Sequence, residues 1–292
     1  MKETPGLFKY LSPDKLVFFE NCLVLLTPPI YLNDPWDFRP KGRVPSEEEI
    51  LKAWQENESD IARSSLIALP ADYVQREQRE RFDRIRAGVT SEEFVGGEGE
   101  HYQKEIGGFF GIVSLTELPL SRLMWAHYAD SHKGFVAEFA AGEETTGYGF
   151  TIRMCAVGPV VAAKVKYRPD FQQISKNADN VHEVCWSKHP DWEEEKEWRI
   201  ICPLQQSIAR QVSRAGGSEL LKRYFLPFEP RWLRSVIFGM RMEAGVKQRL
   251  WDMLGREEFK HVQKGTTAIH PETGELVPKP LESHGSVSGL RL

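Results

Sequence analysis

The sequence lacks the segments that would take a chain into or across a membrane. The apolar run from Leu16 to Leu26 is interrupted by Glu20 and Asn21 and is too short to span a bilayer. It also lacks the small-residue cleavage site of a secretory signal peptide. We therefore expect a cytoplasmic protein that has no membrane partner.

The common metal and nucleotide motifs are missing as well. The four cysteines are scattered and form no C-x-x-C pair, so neither a closed zinc site nor a disulfide scaffold is predicted. H-E-x-x-H, Walker, dinucleotide and G-x-S-x-G motifs are absent. These absences predict no metal ligand set and argue against a serine hydrolase of the α/β type.

No charge of one sign dominates the chain. The formal net charge is −4, from 38 basic and 42 acidic residues, so no global positive field attracts nucleic acid. A local basic patch remains open as an alternative. The sequence does contain eight Trp and sixteen Phe, which predict a folded chain with a sizeable core.

Short apolar or alternating runs predict more strands than helices. The predicted strands cover residues 7–10, 23–26, 109–116, 134–139, 159–167, 195–202, 233–238 and 261–269. The predicted helices cover residues 12–21, 120–131, 171–188, 207–224 and 246–254. Because several strands are consecutive, the predicted fold class is α+β, with a mixed or mostly antiparallel sheet and flanking helices.

Composition divides the chain into a main domain and two appended segments. Residues 1–256 are predicted to form a single α+β domain with a helical insertion at about 46–106, where Ser46 and three following glutamates indicate a helix start. Residues 257–292 are predicted to hold a last strand and then a loose tail from His270 onward, where aromatic residues are absent.

The first chemistry-bearing cluster lies on the predicted helix 120–131 and the turn that follows it. It brings together Trp125, His127, Tyr128 and Lys133. In one interpretation, the histidine is partly buried and the aromatic rings belong to the core. In the other, the cluster is a cleft wall whose aromatic faces hold a flat ligand, with His127 or Tyr128 donating a hydrogen bond and Lys133 binding an anion.

The second cluster, about sixty residues downstream, is the predicted strand 195–202. Strand alternation places Glu195, Glu197 and Arg199 on one face and Trp198 on the other. Two carboxylates and a guanidinium on one face can hold a ribose hydroxyl or tune a general base. The alternative is an exposed face with a Glu–Arg pair of little energetic weight.

A third polar string, residues 33–37, reads Asn-Asp-Pro-Trp-Asp. Its composition is typical of a turn in which the Asx side chains bond nearby backbone N–H groups. The same string could instead position a carboxylate.

Taken together, these motifs resemble a widespread bacterial and phage family that has only a domain-of-unknown-function name. The specific strings are M-W-x-H-Y-A at residues 124–129 and E-x-E-W-R at residues 195–199. Weaker ones are Phe-Lys-Tyr at 8–10, residues 32–37, Val-Ser at 113–114, Trp-x-Lys at 186–188 and Ile-Phe-Gly at 237–239. The resemblance covers roughly residues 7–240 and predicts that the first two clusters form one site.

The order of parts is similar, more weakly, to that of ADP-ribosyltransferases, some of which have a split sheet. In those enzymes a late Glu holds the ribose 2′-hydroxyl of NAD and favours an oxocarbenium-like transition state, and an aromatic residue stacks on nicotinamide. The analogy makes Glu195 or Glu197 the catalytic Glu and Tyr128 or Trp125 the stacking residue. The chain departs from the pattern at residues 8–10, where no His or Arg occurs.

Two residue sets follow as candidates. The candidate catalytic residues are Glu195, Glu197 and His127. The candidate NAD-binding residues are Lys9, Tyr10, Ser114, Trp125, Tyr128, Lys133 and Arg199.

Three functions are compatible with these sets. The first is an NAD-dependent ADP-ribosyltransferase-like enzyme, a toxin or a phage-defence effector, that acts on a macromolecular target of unknown class. The second is a nuclease or nucleic-acid-processing protein that uses His127, Lys133, Glu195 and Glu197 for acid–base or metal chemistry. The third is a ligand-binding or sensor module without chemistry.

Overall fold

The computed structural model describes most of the chain outside the predicted insertion and the C-terminus. The described residues are 6–38, 46–52, 55, 76, 79–80, 82–84, 86–88, 101, 103–104, 107–140, 144–145, 149–154, 158–169, 183–213 and 220–281.

Strands outnumber helices in this part of the chain. The strands are β1 (Gly6–Leu11), β2 (Leu23–Leu26), β3 (Phe110–Thr116), β4 (Phe135–Ala140), β5 (Glu144–Thr145), β6 (Gly149–Met154), β7 (Gly158–Lys164), β8 (Lys166–Tyr167), β9 (Ser187–Lys188), β10 (Glu197–Pro203), β11 (Ile208–Ser213), β12 (Leu220–Pro227), β13 (Leu233–Phe238), β14 (Gln263–Ile269) and β15 (Leu276–Pro280). The described α-helices outside the insertion include α1 (Val17–Glu20), α2 (Arg122–Tyr128) and α3 (Ala244–Met253). Single 3₁₀ turns cover Pro29–Tyr31, Pro190–Glu195, Leu204–Gln206, Pro230–Trp232 and Glu257–Phe259.

Ten of the described strands form one large sheet in the order β15-β14-β13-β4-β1-β3-β10-β7-β6-β5. Its strands pair antiparallel except for β13 and β14, which run parallel. A three-stranded sheet, β11-β12-β2, and the parallel pair β8-β9 complete the described sheets. This mostly antiparallel architecture confirms the predicted α+β class; the split sheet of ADP-ribosyltransferases stays a prediction.

The main core lies on one face of the large sheet and is rich in Phe. Phe18 and Phe19 from α1 pack edge-on or tilted against Phe135, Phe139 and their neighbours, and all four rings are at most 1% exposed. Fully burying such a side chain stabilises the fold by roughly 1.5–3 kcal/mol. The core therefore fixes the sheet strands that border the candidate site on the opposite side.

Helix α2 sits on that opposite face. Ser121 caps its first turn by accepting a hydrogen bond from the Met124 backbone N–H at 3.3 Å. Met124 and Trp125 are buried against Phe8 and Tyr10 of β1. Helix α2 is thereby held over the middle of the sheet, with Tyr128 at its last turn.

The turn after α2 depends on close backbone packing. Asp130, Ser131 and His132 all have left-handed φ angles, of 46°, 53° and 68°. A Cβ atom at Gly134 would lie 2.0 Å from the Leu11 carbonyl oxygen, and one at Gly239 would lie 2.1 Å from the His132 carbonyl oxygen. Glycine is therefore required at both positions.

The predicted helical insertion is described only in part. Residues 47–52 are helical, as are the described residues of 76–88. Ser46 and Glu49 form a reciprocal capping box, in which each side chain accepts a hydrogen bond from the backbone N–H of the other. This confirms the predicted helix start at Ser46. In the described ranges, no helix is long and apolar enough to cross a bilayer.

Several predicted helices were wrong. Residues 208–213 and 220–227 are the strands β11 and β12 rather than one helix, because the paired glycines at 216 and 217 disfavour a helix there. The predicted helix 12–21 shrinks to α1. The predicted helix 171–188 is described only at its end. Residues 183–185 are helical there, but Ser187 and Lys188 are already the strand β9, and residues 170–182 lie outside the described part.

The C-terminal prediction was half right. Strand β14 lies within the predicted last strand, but the tail predicted to be loose from His270 onward continues into β15. Leu276 packs against the cluster under α2 and pairs with Ile269, which explains the order at this position.

Candidate active site

A cavity of about 220 Å³ lies where the two sequence clusters meet. Its walls come from β1, β3, the loop that follows β2, helix α2 and the segment from β9 to β10. The lining residues are Phe8, Lys9, Tyr10, Thr27, Tyr31, Leu32, Asn33, Asp37, Ser114, Leu115, Thr116, Met124, Tyr128, Lys188, Glu195 and Glu197.

Three adjacent strands supply the polar floor of the cavity. Strand β3 pairs with β1 on one side and with β10 on the other, which aligns Glu197 with Thr116 and Arg199 with Ser114. Lys9 reaches across from β1 and donates a hydrogen bond from Nζ to the Ser114 carbonyl oxygen at 2.9 Å. Residues more than 100 positions apart thus form one polar surface.

Glu197 is a buried carboxylate that is permanently ionised near neutral pH. Arg199 donates from Nε and Nη2 to its two oxygens at 2.9 and 3.0 Å, and Lys188 Nζ donates at 3.1 Å. The Ser114 side chain also favours the ionised form of Glu197. Burial opposes ionisation most strongly, yet the neighbouring Arg199 and Lys188 charges lower the Glu197 pKa to about 2.

Glu195 lies beside Glu197 but belongs to a different element. It ends the 3₁₀ turn, and Lys196 then adopts a left-handed φ of 45°, so Glu195 and Glu197 reach the cavity from two directions. Glu195 Oε1 accepts a hydrogen bond from the Tyr128 hydroxyl and Oε2 accepts one from Lys188 Nζ at 2.6 Å. The prediction that both lie on one strand face was wrong, because the strand begins only at Glu197.

Arg199 is fully buried and uses all five of its N–H groups. Two go to Glu197, two go to the Asp37 carboxylate at 2.5 and 3.0 Å, and one goes to the Cys185 carbonyl oxygen at 3.0 Å. The side chain is 0% exposed and does not line the cavity. Arg199 therefore positions Glu197 and does not bind a ligand itself, contrary to its predicted role.

Lys188 links the two glutamates. Its ammonium bonds both carboxylates and lies 4.6 Å from the Trp192 ring centroid. Burial lowers its pKa, but the charges of Glu197, Glu195 and Asp37 outweigh burial and raise the Lys188 pKa overall. The site thus contains three carboxylates and three basic side chains. The carboxylates are Asp37, Glu195 and Glu197, and the basic side chains are Lys9, Lys188 and Arg199.

Lys9 differs from Lys188 in its hydrogen-bond partner. Lys188 donates to two carboxylates, whereas Lys9 donates to a backbone carbonyl oxygen. Burial lowers its pKa to about 8, although the charge of Glu197 acts in the opposite direction. Near neutral pH the amine is therefore mostly protonated but can lose its proton readily.

The mouth of the cavity is aromatic. The Tyr128 hydroxyl accepts a hydrogen bond from Asn33 Nδ2 at 2.8 Å while it donates to Glu195. Burial and the Glu195 charge raise the Tyr128 pKa, so the hydroxyl keeps its proton. Tyr31, which also lines the cavity, is 55% exposed.

Six of the ten predicted site residues line this cavity. They are Lys9, Tyr10, Ser114, Tyr128, Glu195 and Glu197. Tyr10 turns its hydroxyl away to the Leu118 carbonyl oxygen at 2.7 Å, so it contributes mainly its ring.

The other predicted contacts are corrected by the structure. Trp125 is 0% exposed, and it stacks on His132 and donates to the Pro119 carbonyl oxygen, so it cannot stack on a ligand. His127 is exposed on the outer side of α2, and Lys133 pairs with Asp130 at 3.6 Å; neither lines the cavity.

Sequence reasoning did not assign roles to Asp37, Lys188, Asn33 and Tyr31. The polar string at 33–37 is typical of a turn, and Asp34 Oδ1 does accept a hydrogen bond from the Trp36 backbone N–H at 2.9 Å. Its alternative interpretation, a positioned carboxylate, applies to Asp37. Only the Trp-x-Lys string at 186–188 pointed to Lys188.

The carboxylates of this site are occupied by cationic side chains of the protein itself. Within the described part of the chain, no group of three or more His, Cys, Asp or Glu side chains is arranged to hold a metal ion.

The family comparison bears directly on the segment that builds this site. Residues 124–200 match the model of a family described as "Protein of unknown function (DUF2971)". This match confirms the predicted resemblance to a domain-of-unknown-function family. No curated protein and no solved structure matches the chain. The DUF2971 segment contains Tyr128, Lys188, Glu195, Glu197 and Arg199, whereas Lys9, Asn33, Asp37 and Ser114 come from the chain before it.

Proposed function

We propose that this protein is an NAD-dependent ADP-ribosyltransferase-like enzyme, which suits a toxin or a phage-defence effector, and that Glu195 is the carboxylate that contacts the substrate. The observation behind the proposal is the unequal hydrogen bonding of the two cavity glutamates. NAD supplies a ribose whose bond to nicotinamide is activated for transfer.

A carboxylate offers about four lone-pair sites. Glu197 accepts two hydrogen bonds from Arg199 and one from Lys188, which uses most of them. Glu195 accepts one from Tyr128 and one from Lys188. About two acceptor sites therefore remain on Glu195, enough to bind a ribose hydroxyl.

The surrounding charges suit the stabilisation of a developing positive charge. Lys188 and Tyr128 hold the Glu195 carboxylate in place, and Arg199 holds Glu197 ionised behind it. A fixed negative group in a site that excludes water stabilises an oxocarbenium-like carbon far better than one in bulk water. Phe8 and Tyr10 offer aromatic faces to a flat leaving group.

The cavity fits one end of a dinucleotide. Its volume of about 220 Å³ lies below the range of roughly 300–1,000 Å³ that is typical of drug-sized ligands. We expect the nicotinamide riboside end to enter the cavity and the rest of the molecule to lie outside.

The test is release of nicotinamide from NAD by the purified protein, with and without cell extract. Glu195→Gln keeps the side-chain size and removes the charge, and we expect it to lower the release rate by about 10²- to 10³-fold. Glu194→Gln is the matched control, because Glu194 is the exposed neighbour of Glu195. Equal rates in wild type and Glu195→Gln, or no release by wild type in any extract, would contradict the proposal.

A ligand-binding module without chemistry is the second candidate. It is favoured by the internal satisfaction of Glu197, whose three hydrogen bonds from Arg199 and Lys188 are typical of a structural carboxylate. It predicts that folded Glu195→Gln keeps full cellular function. A metal-dependent nuclease is less well supported, because Asp37, Glu195 and Glu197 are each bonded to Arg199 or Lys188.

A further inference from the structure

The β11–β12 hairpin has a local excess of positive charge, although the protein as a whole is acidic. It contains Arg210, Lys222 and Arg223, and its two strands contain no Asp or Glu. The whole chain has a formal net charge of −4. The positive charge is therefore local, and because neighbouring residues of a strand point to opposite faces, Lys222 lies on one face and Arg223 on the other.

Two of these cations face each other. Arg210 and Arg223 are direct cross-strand partners in the antiparallel pair. Like charges at such positions repel and weaken a hairpin. Within the described ranges, neither arginine forms an ion pair with a carboxylate. An anion shared between the two guanidinium groups would remove the repulsion.

One member of the arginine pair, Arg223, contacts an aromatic ring that lines the cavity. The Arg223 guanidinium carbon lies 5.5 Å from the centroid of the Tyr31 ring, and Tyr31 lines the cavity. Tyr31 is 55% exposed, and Trp36 of the same loop is 56% exposed. We define the Arg-Tyr patch as Arg210, Arg223 and Tyr31.

We propose that the Arg-Tyr patch binds single-stranded nucleic acid, with phosphates on Arg210 and Arg223 and an unpaired base on Tyr31. An exposed aromatic ring beside guanidinium groups is the arrangement by which proteins hold single strands, since each base has a face that can stack. Duplex bases are already stacked and cannot use the ring. The inference rests on the proposed function in one respect: it names single-stranded nucleic acid as the acceptor of the ADP-ribosyl group.

The test is fluorescence anisotropy of a short labelled oligonucleotide, as single-stranded DNA and as RNA, in the absence of NAD. We expect the double variant Arg210→Ala/Arg223→Ala to bind at least tenfold more weakly. Its log–log salt slope should be smaller by about 1.4, because each phosphate contact on a single strand contributes about 0.7. Tyr31→Ala should weaken binding about tenfold and leave the salt slope unchanged.

The matched control is Lys247→Ala/Arg249→Ala, which removes two positive charges from α3. It should bind like the wild type. If the hairpin variant does not fold, as judged by its thermal melt, Tyr31→Ala decides alone, because Tyr31 is largely exposed.

Three results with nucleic acid would overturn the inference. They are no binding of either single strand, binding that the hairpin and Tyr31 variants leave unchanged, and equal affinity for a duplex of the same sequence. Binding of anionic vesicles that the hairpin variant abolishes, without binding of single strands, would also overturn it. Because the assay contains no NAD, its failure is distinguishable from the failure of nicotinamide release.

Discussion

Asp37 and Arg199 lie 162 positions apart in the chain and form a two-bond ion pair in the protein interior, with N–O distances of 2.5 and 3.0 Å. Both side chains are at most 2% exposed. The pair ties the loop after β2 to the late strand β10. It thereby joins the early part of the chain to the DUF2971 segment at the candidate active site.

We predict that Asp37→Ala lowers the free energy of unfolding by about 3–5 kcal/mol, because it leaves the buried Arg199 guanidinium partly uncompensated. Denaturation in urea measures the change. Asp14→Ala is the control: Asp14 is 65% exposed and pairs with Lys15, so its loss should cost at most about 1 kcal/mol. Equal effects of the two substitutions would show that burial of the pair is unimportant.

The low pKa of Glu197 predicts a specific loss of stability in acid. The pKa falls from an ordinary value of 4.5 to about 2 in the folded protein. The resulting contribution, about 3 kcal/mol, is fully present above pH 4.5 and is lost as the pH falls from 4.5 to 2. Unfolding free energies measured across this range should fall less steeply in Glu197→Gln than in the wild type. Parallel pH profiles would contradict the prediction.

Tyr128→Phe removes the hydroxyl that connects Asn33 to Glu195. A hydrogen bond to a charged group contributes about 1.5–3 kcal/mol, so we expect a loss of that order in the free energy of unfolding. Tyr224→Phe makes the same chemical change at a ring that packs on the core and should cost less than about 0.5 kcal/mol. Chemical denaturation of both variants is the measurement, and a neutral Tyr128→Phe would argue against the bond.

Alanine substitutions at Gly239 and Gly245 should change the free energy of unfolding in opposite directions. At Gly239 the new Cβ would lie 2.1 Å from the His132 carbonyl oxygen, so the backbone of the turn after α2 must shift. We expect a loss of more than about 2 kcal/mol. At Gly245, in α3, a Cβ would meet no atom within 4 Å apart from its chain neighbours and the backbone of its own helix, and alanine should stabilise by about 0.5 kcal/mol. Thermal melts of the two variants compare them directly.

Local sequence patterns predicted the strands well where apolar residues alternate. Strand β13 begins and ends where predicted, and Trp198, Ile200 and Cys202 of β10 all enter the main core as strand alternation requires. The helix prediction failed at 207–224, where residues 208–213 and 220–227 pair instead as the antiparallel strands β11 and β12.

The site was harder to predict, since its chemistry depends on distant partners. The motifs predicted that Tyr128, Glu195 and Glu197 would meet, and they do so at the cavity. The sequence could not show that Arg199 turns into the interior toward Asp37, because that depends on the pairing of β10 with β3 and on the position of the loop that follows β2. Nor could it show that Lys196 adopts a left-handed conformation, which separates Glu195 from the strand.

The most direct test of the central claim is a thermal-shift titration of the purified protein with NAD, nicotinamide and ADP-ribose. A ligand that binds only the folded state raises the melting temperature by mass action. We predict a rise with NAD that is retained in Glu194→Gln and reduced in Glu195→Gln. No rise with any of the three ligands, or the same rise in Glu195→Gln as in the wild type, would contradict the assignment of Glu195 as the substrate-contacting carboxylate of an NAD site.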